Sequence, residues 1–250
     1  MKIMSSEISL TILYDNITAD NDLQAGWGFS CLVEGAGETI LFDTGARGDV
    51  LLSNMKKLGI SPRDIDIVVL SHFHGDHTGG IDALLEQNHE ISVYFPSSFA
   101  RGFLERILAS GAGLVPVSSC LQIMPGVSVT TETGDMTREI AMVIETDRGL
   151  IVMTGCAHPG VKSILEKVEC ISPDKLLMII GGLHLEARSR FEIELLASTL
   201  AKKGLSHPAP CHCSGDLSKE VFRNQFPGYI ETGVGRKIRL KDIQSELPLG

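Results

Sequence analysis

Between Ile65 and Gly80 the chain changes character in one step. The apolar run "IDIVVL" (65–70) is too short for a helix and rich in β-branched residues. It predicts a strand covered on both faces, which demands packing layers on each side. The stretch "SHFHGDHTGG" (71–80) follows at once and sets His72, His74, Asp76 and His77 within six positions. Histidine is only 8 of 250 residues, so three in so short a span mark a site rather than background. A buried strand that empties into a ligand-rich loop constrains the fold to sheets with helices outside and a site at a strand end.

The rest of the pattern agrees. "EISLTILY", "GFSCLVE" and "ETILFD" read as strands separated by Gly-rich turns. "GDVLLSNMKKLG" has helical spacing and a Gly59 stop. "GGIDALLEQ" predicts a helix, "ISVYF" a strand, "FARGFLERILAS" a helix and "AGLVPV" a strand. Strands are expected at "LQIM", "VSVTTE", "EIAMVIET", "GLIVMTG", "KLLMII" and residues 206–210. Helices are expected at "GVKSILEKV", "GDLSKEVFRNQF" and "RFEIELLASTLAKK", the last with Phe191, Leu195, Leu196 and Leu200 on one face. No linker or short-period repeat divides residues 1–250, so a single α/β domain is expected.

Composition narrows the function classes. Apolar residues are 43% and charged residues 21%, with no apolar run near the ~20 residues that span a bilayer. "MKIMSSEISL" carries no long apolar stretch, so no signal peptide is read and a cytoplasmic location is expected. A net charge of −9 argues against nucleic acid as a partner. Arg236, Lys237, Arg239 and Lys241 read as a solvated strand edge. Six cysteines in such a chain suggest no disulfide framework. Cys31, Cys120 and Cys170 are expected as buried small hydrophobes, and His89 and His207 as surface or turn residues.

Chemistry gathers where strands end. Besides the 72–77 cluster, Cys156 and His158 follow "GLIVM", His184 follows "KLLMIIGG" and His212 follows the strand before "PCHCSG". Residues i and i+2 of extended backbone point the same way, so His72 and His74 can grip one ion. Asp76 and His77, past Gly75, can face a second. Imidazole and carboxylate suit zinc, with iron and manganese also accepted. Cys156 reads equally as ligand or packed thiol. His184, after two glycines, reads as a substrate-facing or catalytic acid or as a structural histidine. "CHC" is too tight for a zinc finger, which leaves His212 as a single ligand between two packed cysteines. Arg188 or Arg190 can meet a substrate phosphate or simply solvate a helix start.

"SHFHGDHTGG" resembles the H-x-H-x-D-H signature of the metallo-β-lactamase superfamily. "LFDTG" and "IVMTGCAHPG" resemble its Asp-Thr-Gly turn and its strand-then-T-G-D segment. "LYDN", "GWGFSCLVE", "GCAHPGV", "GGLHL" and "PCHCSG" together are similar to the dihydropterin-methyl-aminobenzene phosphate synthase-like subgroup. The resemblance implies an αββα sandwich of two mixed β-sheets with helices outside, and two divalent metal ions, zinc above all. It implies His72 and His74 on the first metal and Asp76 and His77 on the second, with Asp76 also catalytic. Cys156 takes the place of a bridging Asp, and His212 the place of the last metal histidine. Asp43 is implied as the hydrogen-bond acceptor that steadies a ligand loop, although a D-T-G turn alone also explains it. One departure stands out: the region "TTETGDMTREIAM" lacks the histidine the superfamily places there. Glu132, Asp135 or His158 can fill the vacancy, and His158 is favoured.

The implied function is a metal-dependent hydrolase that sets metal-activated water on an ester or phosphoester. The alternative is a pterin-linked transferase, and a second is a non-catalytic metal-binding protein. In either enzyme the partner is a small molecule, phosphorylated or pterin-like.

Overall fold

The computed structural model describes residues 2–243. Two sheets form from thirteen strands. The first contains β1 (Ser9–Tyr14), β2 (Ser30–Glu34), β3 (Ile40–Phe42), β4 (Ile67–Val69), β5 (Ser92–Pro96), β6 (Gly113–Val117) and, at one edge, β13 (Lys237–Arg239). The second contains β7 (Leu121–Met124), β8 (Val127–Val129), β9 (Met142–Thr146), β10 (Gly149–Thr154), β11 (Leu176–Gly182) and β12 (His207–Cys211). Both are mixed: β3 to β6 run parallel in the first sheet, as do β10, β11 and β12 in the second, and the remaining pairs are antiparallel. Helices α1 (Gly48–Lys57), α2 (Gly75–Thr78), α3 (Ile81–Leu85) and α4 (Arg101–Ala109) connect strands of the first sheet. Helices α5 (Val161–Glu169), α6 (Arg190–Lys202) and α7 (Asp216–Gln225) accompany the second.

The alternation of strand side chains builds the layers. In β4, Ile67 and Val69 enter the apolar cluster between the sheets, whereas Val68 enters the cluster under α1, α3 and α4. In β10, Ile151 and Met153 face the other sheet, while Leu150 and Val152 face α5 and α6. Three apolar clusters therefore fill three interlayer spaces, and the expected αββα sandwich is the observed architecture. No helix among the described residues is long and apolar enough to cross a membrane.

Several local expectations need correction. In α6 the buried stripe is Ile193, Leu196, Ala197 and Leu200, while Phe191 (73% exposed) and Leu195 (52%) lie on the outer face. Phe191 and Leu195 share a face with each other but stand well around the helix from Ile193. Cys31 is buried, but Cys120 and Cys170 are exposed, one in the turn before β7 and the other at the C-cap of α5. His207 is buried in β12, where its Nδ1 lies 3.1 Å from the Gly228 carbonyl. The segment "GGIDALLEQ" holds α3 as expected, but an unexpected short helix, α2, precedes it from Gly75 to Thr78. The expected strand at "EIAMVIET" joins its sheet only from Met142. Glu139 and Ile140 instead reach across to the first sheet, where Ile140 N–H donates to the Ser71 carbonyl. Of the four basic residues near the C-terminus, Lys237 and Arg239 do lie exposed on an edge strand, while Arg236 precedes it and Lys241 follows it.

Candidate metal centre

Six strands deliver side chains to one end of the sandwich. Asp15 and Asn16 follow β1, Asp43 follows β3, Ser71 and His72 follow β4, Cys156 follows β10, His184 follows β11 and His212 follows β12. This is the carboxyl edge of the parallel segments, where open α/β sheets collect ligands. A larger cavity of about 470 Å³ lies at the opposite edge, at the starts of β10 and β11, far from the imidazoles.

Two candidate ligand clusters share one sulfur. One ligand atom each of His72, Cys156 and His158 lie within 4.8 Å of one another, and so do those of His77, Cys156 and His212. His74 flanks the first cluster, its Nδ1 3.1 Å from His72 Nε2 and its ring 4.8 Å from that of His158. Asp76 flanks the second, its Oδ2 3.1 Å from His212 Nε2 and 3.7 Å from His77 Nε2. Cys156 Sγ stands 3.3 Å from His77 Nε2. His184 lies outside both clusters, with an exposed ring 4.6 Å from that of His158. Glu132 accepts from Ser97 Oγ and Ser98 N–H, and Asp135 lines a separate depression beside Phe73 and His74, so neither joins the clusters.

Hydrogen bonds behind the rings choose which nitrogen points inward. Asp43 Oδ1 accepts from Ser71 N–H at 2.7 Å, and Asp43 Oδ2 accepts from Ser71 Oγ and His77 Nδ1, both at 2.7 Å. With its Nδ1–H held there, His77 turns its Nε2 lone pair toward Cys156. His72 Nδ1 lies 2.8 Å from Ser71 Oγ, whose own proton goes to Asp43, so His72 likewise presents Nε2. His212 Nδ1 donates to Asn16 Oδ1 at 3.0 Å, while Asn16 Nδ2 donates back to the His212 carbonyl. Asp15 Oδ1 accepts from His212 N–H.

A buried carboxylate organises the segment that carries Cys156 and His158. Glu139 is 1% exposed; its Oε1 accepts from the N–H groups of Gly155, Cys156 and Ala157, and its Oε2 from that of His158. These bonds span 2.9 to 3.1 Å. Ala157 curls the segment with a φ of 57°, forming a concave nest of donors around the anion. Asp43, His184 and His212 also have positive φ. All four non-glycine residues with positive φ among those described thus belong to this centre or its rim, where backbone strain is expected to concentrate. Close approach is also built in: a Cβ on Gly28 would lie 2.3 Å from the Asp76 carbonyl oxygen, and one on Gly155 would lie 2.0 Å from Ser71 Oγ.

The electrostatics suit a cation. Burial, followed by the neighbouring histidines, holds His72 well below the usual imidazole range, and burial lowers His74. Burial and the rings of His184 and His74 push His158 down to about 4. These rings are therefore neutral, and available as donors, near pH 7. Burial opposes ionisation of Asp76, yet His212 and His77 beside it keep its carboxyl well below the usual range. Burial also works against protonation of His77, but Asp43 prevails and raises it. Among the described residues the buried Nε2 of His158 has no hydrogen-bond partner, and that of His212 faces only the Asp76 carboxylate, 3.1 Å away. Orphaned buried acceptors carry a cost that a cation would remove, and an N/O/S donor set of this kind fits a divalent transition metal.

Ser71, Asn16, Asp15 and Glu139 were not singled out for roles from the sequence. "LYDN" contains two of them, but their part is to accept from ring and backbone donors of a distant strand end. Glu139 binds only backbone N–H groups, which leave no trace in side-chain pattern. Trp27, the only tryptophan of the chain, packs edge-on against His212 with ring centroids 4.7 Å apart.

Comparison with known proteins agrees with this geometry. Residues 27–106 match the family model of the metallo-beta-lactamase superfamily. The chain is 31% identical over 248 residues to the 7,8-dihydropterin-6-methyl-4-(beta-D-ribofuranosyl)-aminobenzene-5'-phosphate synthase of Methanocaldococcus jannaschii, covering 80% of this chain and 84% of that one. The solved structure of Tm1679, a metal-dependent hydrolase of the beta-lactamase superfamily, superposes with a TM-score of 0.76 at 27% identity, over 92% of this chain and 98% of that chain. The metallo-beta-lactamase fold protein YhfI of Bacillus subtilis shares the fold, with a TM-score of 0.68 at 17% identity over 92% and 98% of the two chains. Fold, signature and relatives converge: the chain belongs to the metallo-beta-lactamase superfamily of enzymes.

Proposed function

We propose that this protein is a metal-dependent hydrolase of a small ester or phosphoester, with two divalent cations, zinc above all, at the candidate centre. The observation that carries the reading is the pair of candidate ligand clusters meeting at Cys156, in which the buried Nε2 of His158 has no hydrogen-bond partner among the described residues and that of His212 faces only the Asp76 carboxylate. His72, His74 and His158 would hold one cation, and Asp76, His77 and His212 the other, with Cys156 between them. Bound there, the metals would supply Lewis-acid stabilisation of developing negative charge and a nucleophile from water at neutral pH. Asp43, through Ser71 and His77, and Asn16, through His212, hold the ring tautomers that present Nε2. Glu139 fixes the Cys156–His158 segment. His184, exposed beside His158, is positioned to give a proton to the leaving oxygen.

A second reading is a pterin-linked condensation, favoured by the similarity to the archaeal synthase. In it the same side chains would steady a leaving phosphate while another acceptor takes the place of water. The test is turnover by metal-replete protein of phosphodiesters, thioesters, lactones and the pterin–aminobenzene pair, with elemental analysis alongside. Hydrolysis of generic esters without pterin supports the first reading, and pterin-dependent turnover alone supports the second. Full metal content with no turnover across the panel would reject both in favour of a metal-binding protein without catalysis.

A further inference from the structure

Next to the centre lies a cavity of about 390 Å³, which shares only Ala157 and His158 with the candidate ligand clusters and their supporting network. It opens beside His158 and His184 and continues between the start of α5 and the flank of α6 that carries Glu192, Leu195 and Leu196. Its walls are apolar, from Val161, Leu183, Leu185, Leu195 and Leu196. Its charged lining is Lys162, Arg188 and Glu192. In a chain of net charge −9, a lining of two cations against one carboxylate is a local reversal of sign. Glu192 accepts from Ser189 N–H and Oγ in the capping box of α6 and pairs with Arg188 at 3.3 Å, so these two charges offset one another and Lys162 carries the excess positive charge. Lys162 has no ion pair among the described residues and is exposed.

We infer that this cavity binds the part of the substrate remote from the reacting bond, an apolar body ending in an anionic phosphate or carboxylate. The inference deepens the proposed metal-dependent reaction and rests on it for the placement of the reacting end beside His158. The volume is at the small end of the range for small-molecule sites, about 300–1,000 Å³. Leu195, solvent-exposed in the uncomplexed chain, supplies a reason for its position: it is the apolar wall that a ligand would cover. Lys162, on the first turn of α5, then meets the terminal oxygens as a point charge, and the Arg188 guanidinium adds a planar donor at the same rim.

The test is calorimetric titration of zinc-loaded protein with naphthylmethylphosphonate and with neutral naphthylmethanol. Replacing one exposed cation is expected to weaken the phosphonate about fivefold in Lys162→Ala, and further in Lys162→Glu, with little effect on the neutral probe. Leu195→Ala is expected to weaken both probes. Phosphonate affinity that is unchanged in both Lys162 variants but lost in His72→Ala would place the anion on the metals and overturn the inference. Binding that is unchanged in every variant would overturn it too. Melting temperature and metal content check that each variant is folded and loaded. Because the readout is binding, a failed subsite remains distinct from a failed reaction, which is judged by turnover of an uncharged ester by the unmutated protein.

Discussion

Replacing Glu139 by Gln removes one charge and almost no volume, and four bonds report the consequence. The carboxylate, 1% exposed, accepts N–H groups from Gly155, Cys156, Ala157 and His158 at 2.9 to 3.1 Å. Hydrogen bonds to a charged group contribute about 1.5–3 kcal/mol each, against about 0.5–1.5 for neutral ones. Converting four such bonds to neutral ones therefore costs about 1 kcal/mol each. The amide NH₂ also points a donor at a donor, which leaves at least one backbone N–H unsatisfied. Because the four bonds share one anchor, the sum is not fully additive, and a loss of about 3–4 kcal/mol is expected. For a chain of this size that lowers the melting temperature by about 6–16 °C. Cys156 and His158 ride on the freed segment, so metal affinity is expected to fall by about 10–100-fold, as when other groups that orient a metal ligand are removed. Thermal melts with and without chelator, and competition against a chromogenic zinc chelator, measure the two effects separately. A Glu139→Gln protein that melts within about 1 °C of the parent and holds zinc equally well would refute this account of the nest.

Three further outcomes follow from the same geometry. Cys156→Ala should lower bound metal by elemental analysis, because both ligand clusters lose their shared atom, while Cys156→Asp should retain more; equal loss in the two variants would argue against a bridging position. Zinc added to chelator-treated protein should change the emission of Trp27, whose ring packs against His212, and the change should vanish in Trp27→Phe; an emission blind to zinc would place the metal away from His212. Asp43→Ala deprives Ser71 N–H, Ser71 Oγ and His77 Nδ1 of their acceptor, and should cost about 3 kcal/mol or more, measured by denaturant unfolding; a loss below about 1 kcal/mol would mean that Asp43 serves only the turn.

The cluster His72, His74, Asp76 and His77 was legible because all four residues lie within six positions, from the loop after β4 into α2, where sequence spacing and spatial proximity are nearly the same thing. Cys156, His158 and His212 were legible as ligand-type residues at strand ends, and the geometry brings all three to the cluster. His184 was placed near the site by its glycines but stands at the rim rather than among the candidate ligands. The errors have a common cause. Phe191 and Leu195 look like core by residue type, yet which stripe of α6 faces inward is decided by the sheet it lies on. His207 and Cys170 invert for the same reason, since burial belongs to a position in the assembled layers and not to the residue.

What the amino-acid sequence by itself determined was local: strand against helix from hydrophobic period, and the loop after β4 from its imidazoles and carboxylate. Tertiary structure alone decided that Glu139 leaves its sheet to hold the backbone beside Cys156, that Asn16 turns His212, and that Cys156 stands where two candidate ligand clusters overlap. Those relations join residues far apart in the chain, and several act through backbone N–H groups that every residue carries. They come into being only when the two sheets pack and their strand ends meet at one edge.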